Sequence, residues 1–299
     1  MQEPLAAIDW LTDRSLDTLT REEPIDPYAL MLVLRRYVET GRADLGDAVG
    51  AALAGALAPE RRAPPPRDPA WLMTFAEAAA LSEDDRLRLA VADLVAKNRS
   101  SWARVRDVEE LAWSVDACLA ASGVFEPRNL VSDAIDQLES VVAAAYRPGD
   151  GIAQHIGHPD AVRGRLGDQV RTASALISAY YATGRLPYAM LAEELMQFAR
   201  RMLWPADGHG FLDWHGDGTF VRPEERPFAL NCEAARVLRR LAVLHDTDEY
   251  CDVAVIAPDA DYRRDANETL SSVASRYRDY GAAAAIYAIA LVECLKIED

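Results

Sequence analysis

The chain has 299 residues, of which 50% are hydrophobic and 27% charged, proportions ordinary for a folded globular protein. Asp and Glu number 48 against 32 Lys and Arg, a net charge of -16. That excess repels phosphate backbones and anionic lipid heads, so neither nucleic acid nor a membrane surface is expected as a partner.

Apolar residues recur at helical spacing along nearly the whole chain, and good strand candidates are almost absent. In chain order the spacing predicts helices over 3–19, 27–40 and 43–58, then a Pro-rich connection, "APERRAPPPRDP" (58–69), too stiff and polar to be helical. Helices follow at 70–81, 84–102, 107–122, 128–146, 168–184, 187–203, 229–245, 260–278 and 280–296. The one β-branched run, "CDVAVIAP" (251–258), is an extended candidate.

Most of these twelve segments pair into hairpins. "LRRYVETGRADLGDAVGAAL", "FAEAAALSEDDRLRLAVADL", "ISAYYATGRLPYAMLAEEL" and "LRRLAVLHDTDEYCDVAVIA" each carry an apolar helix, a turn and a second helix. Their turns, at Gly41, Ser82, Gly184 and His245 with another near Gly123, are 41, 41 and then twice about 61 residues apart. A hairpin of that length cannot bury its apolar face alone and must stack on its neighbours. An even number of helices lets the last pack beside the first, and the many small residues of "QVRTASALISAYYATG", "ALNCEAARVL" and "YGAAAAIYAIAL" suit a crowded inner ring. The expected fold is therefore all-α, a single α/α toroid over 1–299 rather than an open solenoid. The extra residues of the long spacings fall in 147–167 and 205–228. Both connect the second helix of one pair to the first of the next, so both decorate the same mouth, where function commonly sits.

Four cysteines (Cys118, Cys232, Cys251, Cys294) are scattered with no CxxC spacing, and free thiols in a reducing compartment are expected. The opening "MQEPLAAIDWLTDRSL" lacks a basic region followed by an apolar one, so no signal peptide is read there. Nor does any apolar stretch reach about twenty residues. A cytoplasmic location is the expectation.

The run "GRLGDQVRTASALISAYYATGRLPYAMLAEELMQFARRMLWPADGHGFLDW", with "NCEAARVLRRLAVL" and "YRDYGAAAAIYAIAL", resembles the toroidal C-terminal portion of the spermatogenesis-associated, thioredoxin-domain-containing protein family. The resemblance is clearest over 164–296, and 1–146 is more divergent. It implies a six-hairpin-glycosidase-like α/α barrel, related to N-acylglucosamine 2-epimerases and several glycoside hydrolases. The family's acidic helix start, its "GGFFD"-like loop and its Asn-led inner helix correspond here to Gly167-Asp168-Gln169, to His209-Gly210-Phe211-Leu212-Asp213 and to Asn231. Leu166-Gly167 replaces one family acid, Cys232 follows Asn231, and the thioredoxin domain is absent, so no redox chemistry is implied.

The candidate chemistry lies at the loop mouth. Asp168 is either a helix cap or a base facing the cavity; Gln169 either orients a ligand hydroxyl or lies on the surface. Asp213 either closes a Gly-rich turn on its own backbone or serves a site with Asp168. Any two of Asp168, Asp213 and Glu233 could divide acid and base roles on a sugar. Phe211, Trp214 and Phe220 offer flat apolar faces, and His155, His158, His209 and His215 lie in or beside the loops. His155, His209 and His215 are taken as ligand contacts, with Asn231, Arg222 and Tyr280; "HIGHPD" has no metal signature, and neither metal nor cofactor is implied. Arg99, Arg104 and Arg106 are expected to pair with Asp107, Glu109 and Glu110 at helix ends. The first functional reading is an enzyme acting on a sugar or similar hydroxyl-rich small molecule. The second is a non-catalytic toroid that binds a ligand or a protein partner.

Overall fold

A computed structural model of the chain describes residues 2–21, 24–58, 69–125, 127, 129–158, 160–206, 209–214 and 226–295. Five inner helices are α2 (Pro27–Thr40), α4 (Pro69–Ala80), α6 (Val108–Ala121), α8 (Leu166–Thr183) and α10 (Phe228–His245). Each is followed by an outer one: α3 (Ala43–Ala56), α5 (Asp85–Ser101), α7 (Leu130–Ala145), α9 (Leu186–Leu203) and, past the short α11 (Asp248–Val253), α12 (Tyr262–Val273). The short α13 (Tyr277–Tyr280) precedes the sixth inner helix, α14 (Ala285–Leu295), and α1 (Gln2–Leu19) is its outer partner. Each inner helix packs on the next, and α14 packs on both α1 and α2. The ring is closed.

Sequence explains the crowding. Ala112, Ala117, Ala173, Ala175, Ala234, Ala235, Ala288 and Ala290 are all fully buried on inner helices, where a small side chain lets neighbouring backbones approach. Starts are marked locally: Asp26 accepts a hydrogen bond from the Ala29 N–H at 3.0 Å, with Pro27 in the first helical position. Asp107 caps α6 in the same way through the Glu110 N–H.

Three details depart from expectation. The β-branched run at 251–258 is not extended; it begins inside α11 and continues into an irregular connection. That connection is held by Glu193, whose carboxylate accepts from Tyr250 and Tyr262 and from the Ile256 and Ala257 N–H groups. The last two helices are shorter than predicted, separated by 3₁₀ turns at Ala274–Arg276 and Gly281–Ala284. Finally, the first long loop contains a two-stranded hairpin, β1 (Tyr146–Arg147) against β2 (Gly151–Ile152). No helix among the described residues is long and apolar enough to cross a membrane.

Candidate functional site

Both long loops are fastened to an inner helix by the same device. Gln169 is the fourth residue of α8 and Asn231 the fourth of α10. Gln169 accepts from the Ile152 N–H (3.0 Å) and donates to the Ile152 and Arg165 carbonyls. Asn231 accepts from the Phe211 N–H (2.7 Å) and donates to the Phe211 and Pro227 carbonyls. In each loop the residue before the clamped one is a glycine at positive φ, Gly151 (+66°) and Gly210 (+82°), and a Cβ there would strike the clamping amide and its packing. The amides of Gln169 and Asn231 are thus taken up by the loop backbones.

Asp168 is the third residue of α8, not its cap; that position belongs to Arg165. Its side chain makes no hydrogen bond to a described residue, only 1% of the residue is exposed, and Oδ2 is buried without a partner. Burial, then the neighbouring Glu109 and Asp107, push its pKa up to about 8; Arg165 opposes and Asp213 adds to the rise. Glu109, on α6, is raised too, chiefly by burial, with Arg171 opposing. The Glu109 carboxylate occupies the space that a side chain at Gly167 would fill.

Asp213 joins the cluster from the second loop. Its carbonyl accepts from the Leu166 N–H at 2.8 Å, and its carboxylate lies 3.4 Å from Arg165. The opening stretch of α8 therefore gathers Asp168, Glu109 and Asp213 around Arg165. The structure does not pair Glu109 with Arg99, Arg104 or Arg106. Arg99 reaches Asp133 instead, and neither Asp107 nor Glu110 pairs with any of the three arginines among the described residues.

Glu233 lies deeper. It is the sixth residue of α10, as Arg171 is of α8, and the two meet at 3.0 Å. Arg236 (3.0 Å) and the Tyr28 hydroxyl (2.7 Å) complete its shell. Burial alone would raise its pKa, but Arg171, Arg236 and Tyr28 outweigh it and hold the group lowered and ionised. Arg171 stacks over the Trp113 ring, 4.1 Å from its centroid.

The other sequence candidates are dispersed. Phe211 is fully buried, edge-on to Trp204; Trp214 is exposed. His155 is exposed 4.0 Å from Asp107, and His209 lies 3.2 Å from Glu268. Tyr280 stacks on Phe228 at the same mouth, with ring centroids 4.6 Å apart. His215, Arg222 and Phe220 lie outside the described residues. Sequence reasoning missed Glu109, Arg165, Arg171 and Trp113 as site residues; their only signal was a place in or just before the first two turns of α6 and α8, visible once those turns are adjacent.

No protein-family model matches the sequence, and no curated protein matches it. Among solved structures, the unsaturated glucuronyl hydrolase of Bacillus sp. GL1 is 14% identical with a TM-score of 0.73, over 99% of this chain and 96% of that one. A family 88 glycosyl hydrolase of Bacteroides vulgatus is 10% identical, TM-score 0.68, covering 99% of each chain. A family 76 mannosidase of Bacteroides thetaiotaomicron is 12% identical, TM-score 0.59, over 76% of this chain and 69% of that one. The neighbours are six-hairpin glycosidase-like toroids, and the likeness is one of fold.

Proposed function

We propose that the chain is an enzyme acting on a sugar or related hydroxyl-rich molecule by carboxylate acid/base chemistry at the loop mouth. The observation that carries this reading is Asp168: a buried carboxyl that keeps its proton near neutral pH beside two less buried carboxyls, Glu109 and Asp213. The charge of the neighbouring Glu109, the more accessible of the two, is after burial the main cause that keeps the proton on Asp168. Glycoside cleavage needs one carboxylic acid to protonate the leaving oxygen and one carboxylate to act from the other side. The Asp168–Glu109 pair fits the first role and Asp213 the second. Glu233, ionised and held by two arginines, is poorly suited to moving a proton and better suited to keeping Arg171 over Trp113. The glycoside-directed names of the structural neighbours and the resemblance of Gly167-Asp168-Gln169 to the spermatogenesis-associated family support the same reading.

A second reading, a toroid that binds a ligand without chemistry, is favoured by the depth of Asp168 and by the structural use of Gln169 and Asn231. One experiment separates the two. Turnover is measured on unsaturated glucuronides and mannosides, the substrate classes named for the neighbours, with wild type, Asp168→Asn and Glu109→Gln. The enzyme reading expects each variant to lose roughly a hundredfold or more in kcat while keeping its fold. A wild-type chain that turns over nothing in the panel yet is thermally stabilised by one of its members would establish the second reading.

A further inference from the structure

A cavity inside the ring faces the opposite end. It measures about 630 Å³ and is lined entirely by inner helices and the α6 turn, and its rim includes the exposed Ala80 and Ala120 and the turn residues Gly123 and Val124. It opens where the short hairpin turns lie, not where the long loops lie. Its wall follows the helix register: the ninth residues of the six inner helices are, in ring order, Arg35, Glu77, Asp116, Ser174, Arg236 and Glu293. All six line the cavity.

This belt is internally satisfied. Arg35 bridges Glu77 (2.7 Å) and Glu293 (2.6 Å), and Arg236 holds Glu293 from the other side at 2.8 Å. Asp116 accepts from the hydroxyls of Ser174 (2.6 Å) and Ser178 (2.5 Å). Those hydroxyl oxygens in turn accept from the two terminal nitrogens of Arg240, at 3.0 and 2.9 Å. Arg240 is thereby held by neutral groups, and no carboxylate lies within ion-pair distance of it among the described residues. The same is true of Arg239, whose hydrogen bond runs from Nε to the Glu293 carbonyl. Five arginines and four carboxylates line the cavity, an excess of positive charge in a chain whose net charge is -16. Burial holds the Arg240 guanidinium below its usual pKa, with Asp116 acting against it; a bound anion would relieve that cost.

We propose that the turn-side cavity is a binding site, separate from the loop mouth, for a small organic anion bearing a carboxylate or a phosphate, held by Arg239 and Arg240. A guanidinium presents planar paired donors that match such oxyanions, and the cavity volume is that of a small-molecule site. The arginines of the belt beneath are already paired with carboxylates, so Arg239 and Arg240 are the groups with charge to offer.

The test is calorimetric titration and thermal melting of the intact chain at constant low ionic strength. The probes are inorganic phosphate, citrate and glucose 6-phosphate, with glucose as the neutral control. At least one anion should bind and raise the melting temperature while glucose does not; citrate alone would identify a carboxylate ligand, and phosphate with glucose 6-phosphate a phosphate one. Arg239→Gln should weaken binding at least tenfold, and Arg239→Lys should restore part of it. Arg240→Gln should weaken binding as well; because it also loosens the Ser174 and Ser178 network, Arg239→Gln is the deciding variant. Asp168→Asn should leave anion binding unchanged, so that failure of the loop-mouth chemistry and failure of this site are separable. No anion binding above that of glucose, or binding undiminished in Arg239→Gln, would overturn the proposal.

Discussion

The two ends of the ring solve the problem of buried charge in opposite ways. At the loop mouth, Asp168, Glu109 and Asp213 gather around Arg165 with too little positive charge, and burial drives the deepest of them towards its neutral form. One to two turns further along other inner helices, Glu77, Glu233 and Glu293 each meet at least one arginine, and Glu293 is held ionised with a pKa of about 2. There, burial acts upward but Arg236 and Arg35 outweigh it. Helix register produces the contrast: inner helices starting level with one another bring equal positions into one layer. Each layer then takes its chemistry from six residues remote in sequence. A carboxyl kept protonated is suited to proton transfer, whereas a paired one is suited to holding a wall.

The comparison breaks most visibly at Glu233. Replacing it by Gln leaves Arg171 and Arg236 buried with one carboxylate fewer, a loss expected to cost about 3–5 kcal/mol. Denaturant unfolding should show the midpoint falling with little change in slope. If Glu233→Gln instead unfolds like wild type but loses turnover, Glu233 belongs to the chemistry and the division between the two ends fails.

Asp168→Asn sharpens the contrast through pH. In the wild type its carboxyl is about 8 folded against an ordinary value of 3.8, so between these pH values the native state binds the extra proton. Stability from this group is therefore full below about pH 4 and is lost as pH rises towards 8. Glu293 behaves in the reverse sense: its contribution is present above about pH 4.5 and is lost as pH falls towards 2. Asn keeps the shape of Asp168 without the charge. The variant should melt like wild type near pH 4 and be more stable near pH 8, by up to about 5 kcal/mol. Thermal melting across pH 4–8 measures it, and parallel profiles would mean that Asp168 is ionised throughout.

Much of the ring was legible because helical periodicity is a local signal: Pro27, Gly41 and Gly184 punctuate helices wherever they fall in space. Closure was legible too, from the even count and the buried alanines. The site was legible only in part. Asp168 stood out by its neighbours in sequence, but Glu109 reads as an ordinary first-turn acid until α6 packs on α8. The ninth-residue belt is invisible while helix starts are uncertain by a residue or two, since a shift of one position turns a side chain about 100° around the helix. The β-branched run after Cys251 was misjudged for a related reason: its conformation is set by Glu193, which gathers Tyr250, Ile256 and Ala257 from another helix.

The matched loop clamps give a smaller, paired test. Gln169→Leu and Asn231→Leu each strand the N–H and carbonyl of one loop residue, Ile152 or Phe211, at an expected cost of about 1–2 kcal/mol apiece. Amide hydrogen exchange should quicken at Ile152 in the first variant and at Phe211 in the second, without crossing over. A large stability loss in only one of them would show that the repeated geometry does not carry equal weight in both loops.

The smallest change addresses the acid pair itself. Gly167 is the second residue of α8, and an added methyl there falls on the Glu109 carboxylate, the free end of a flexible side chain. Gly167→Ala should therefore fold, with any gain in helix propensity kept below about 1 kcal/mol and set against the displacement of Glu109. Its informative effect is electrostatic. After burial, Glu109 is the largest cause of the raised Asp168 pKa, so moving it away should lower that pKa and let the proton leave at lower pH. The stability lost between pH 4 and 8 should then shrink: Gly167→Ala should match wild type near pH 5 and exceed it slightly near pH 8. Turnover should fall as well, because Glu109, whose charge holds the proton on Asp168, has been moved away while Asp168 remains in place. A melting profile superimposable on that of wild type would mean that Glu109 does not govern the Asp168 proton, and the carboxyl pair could not then serve as the acid.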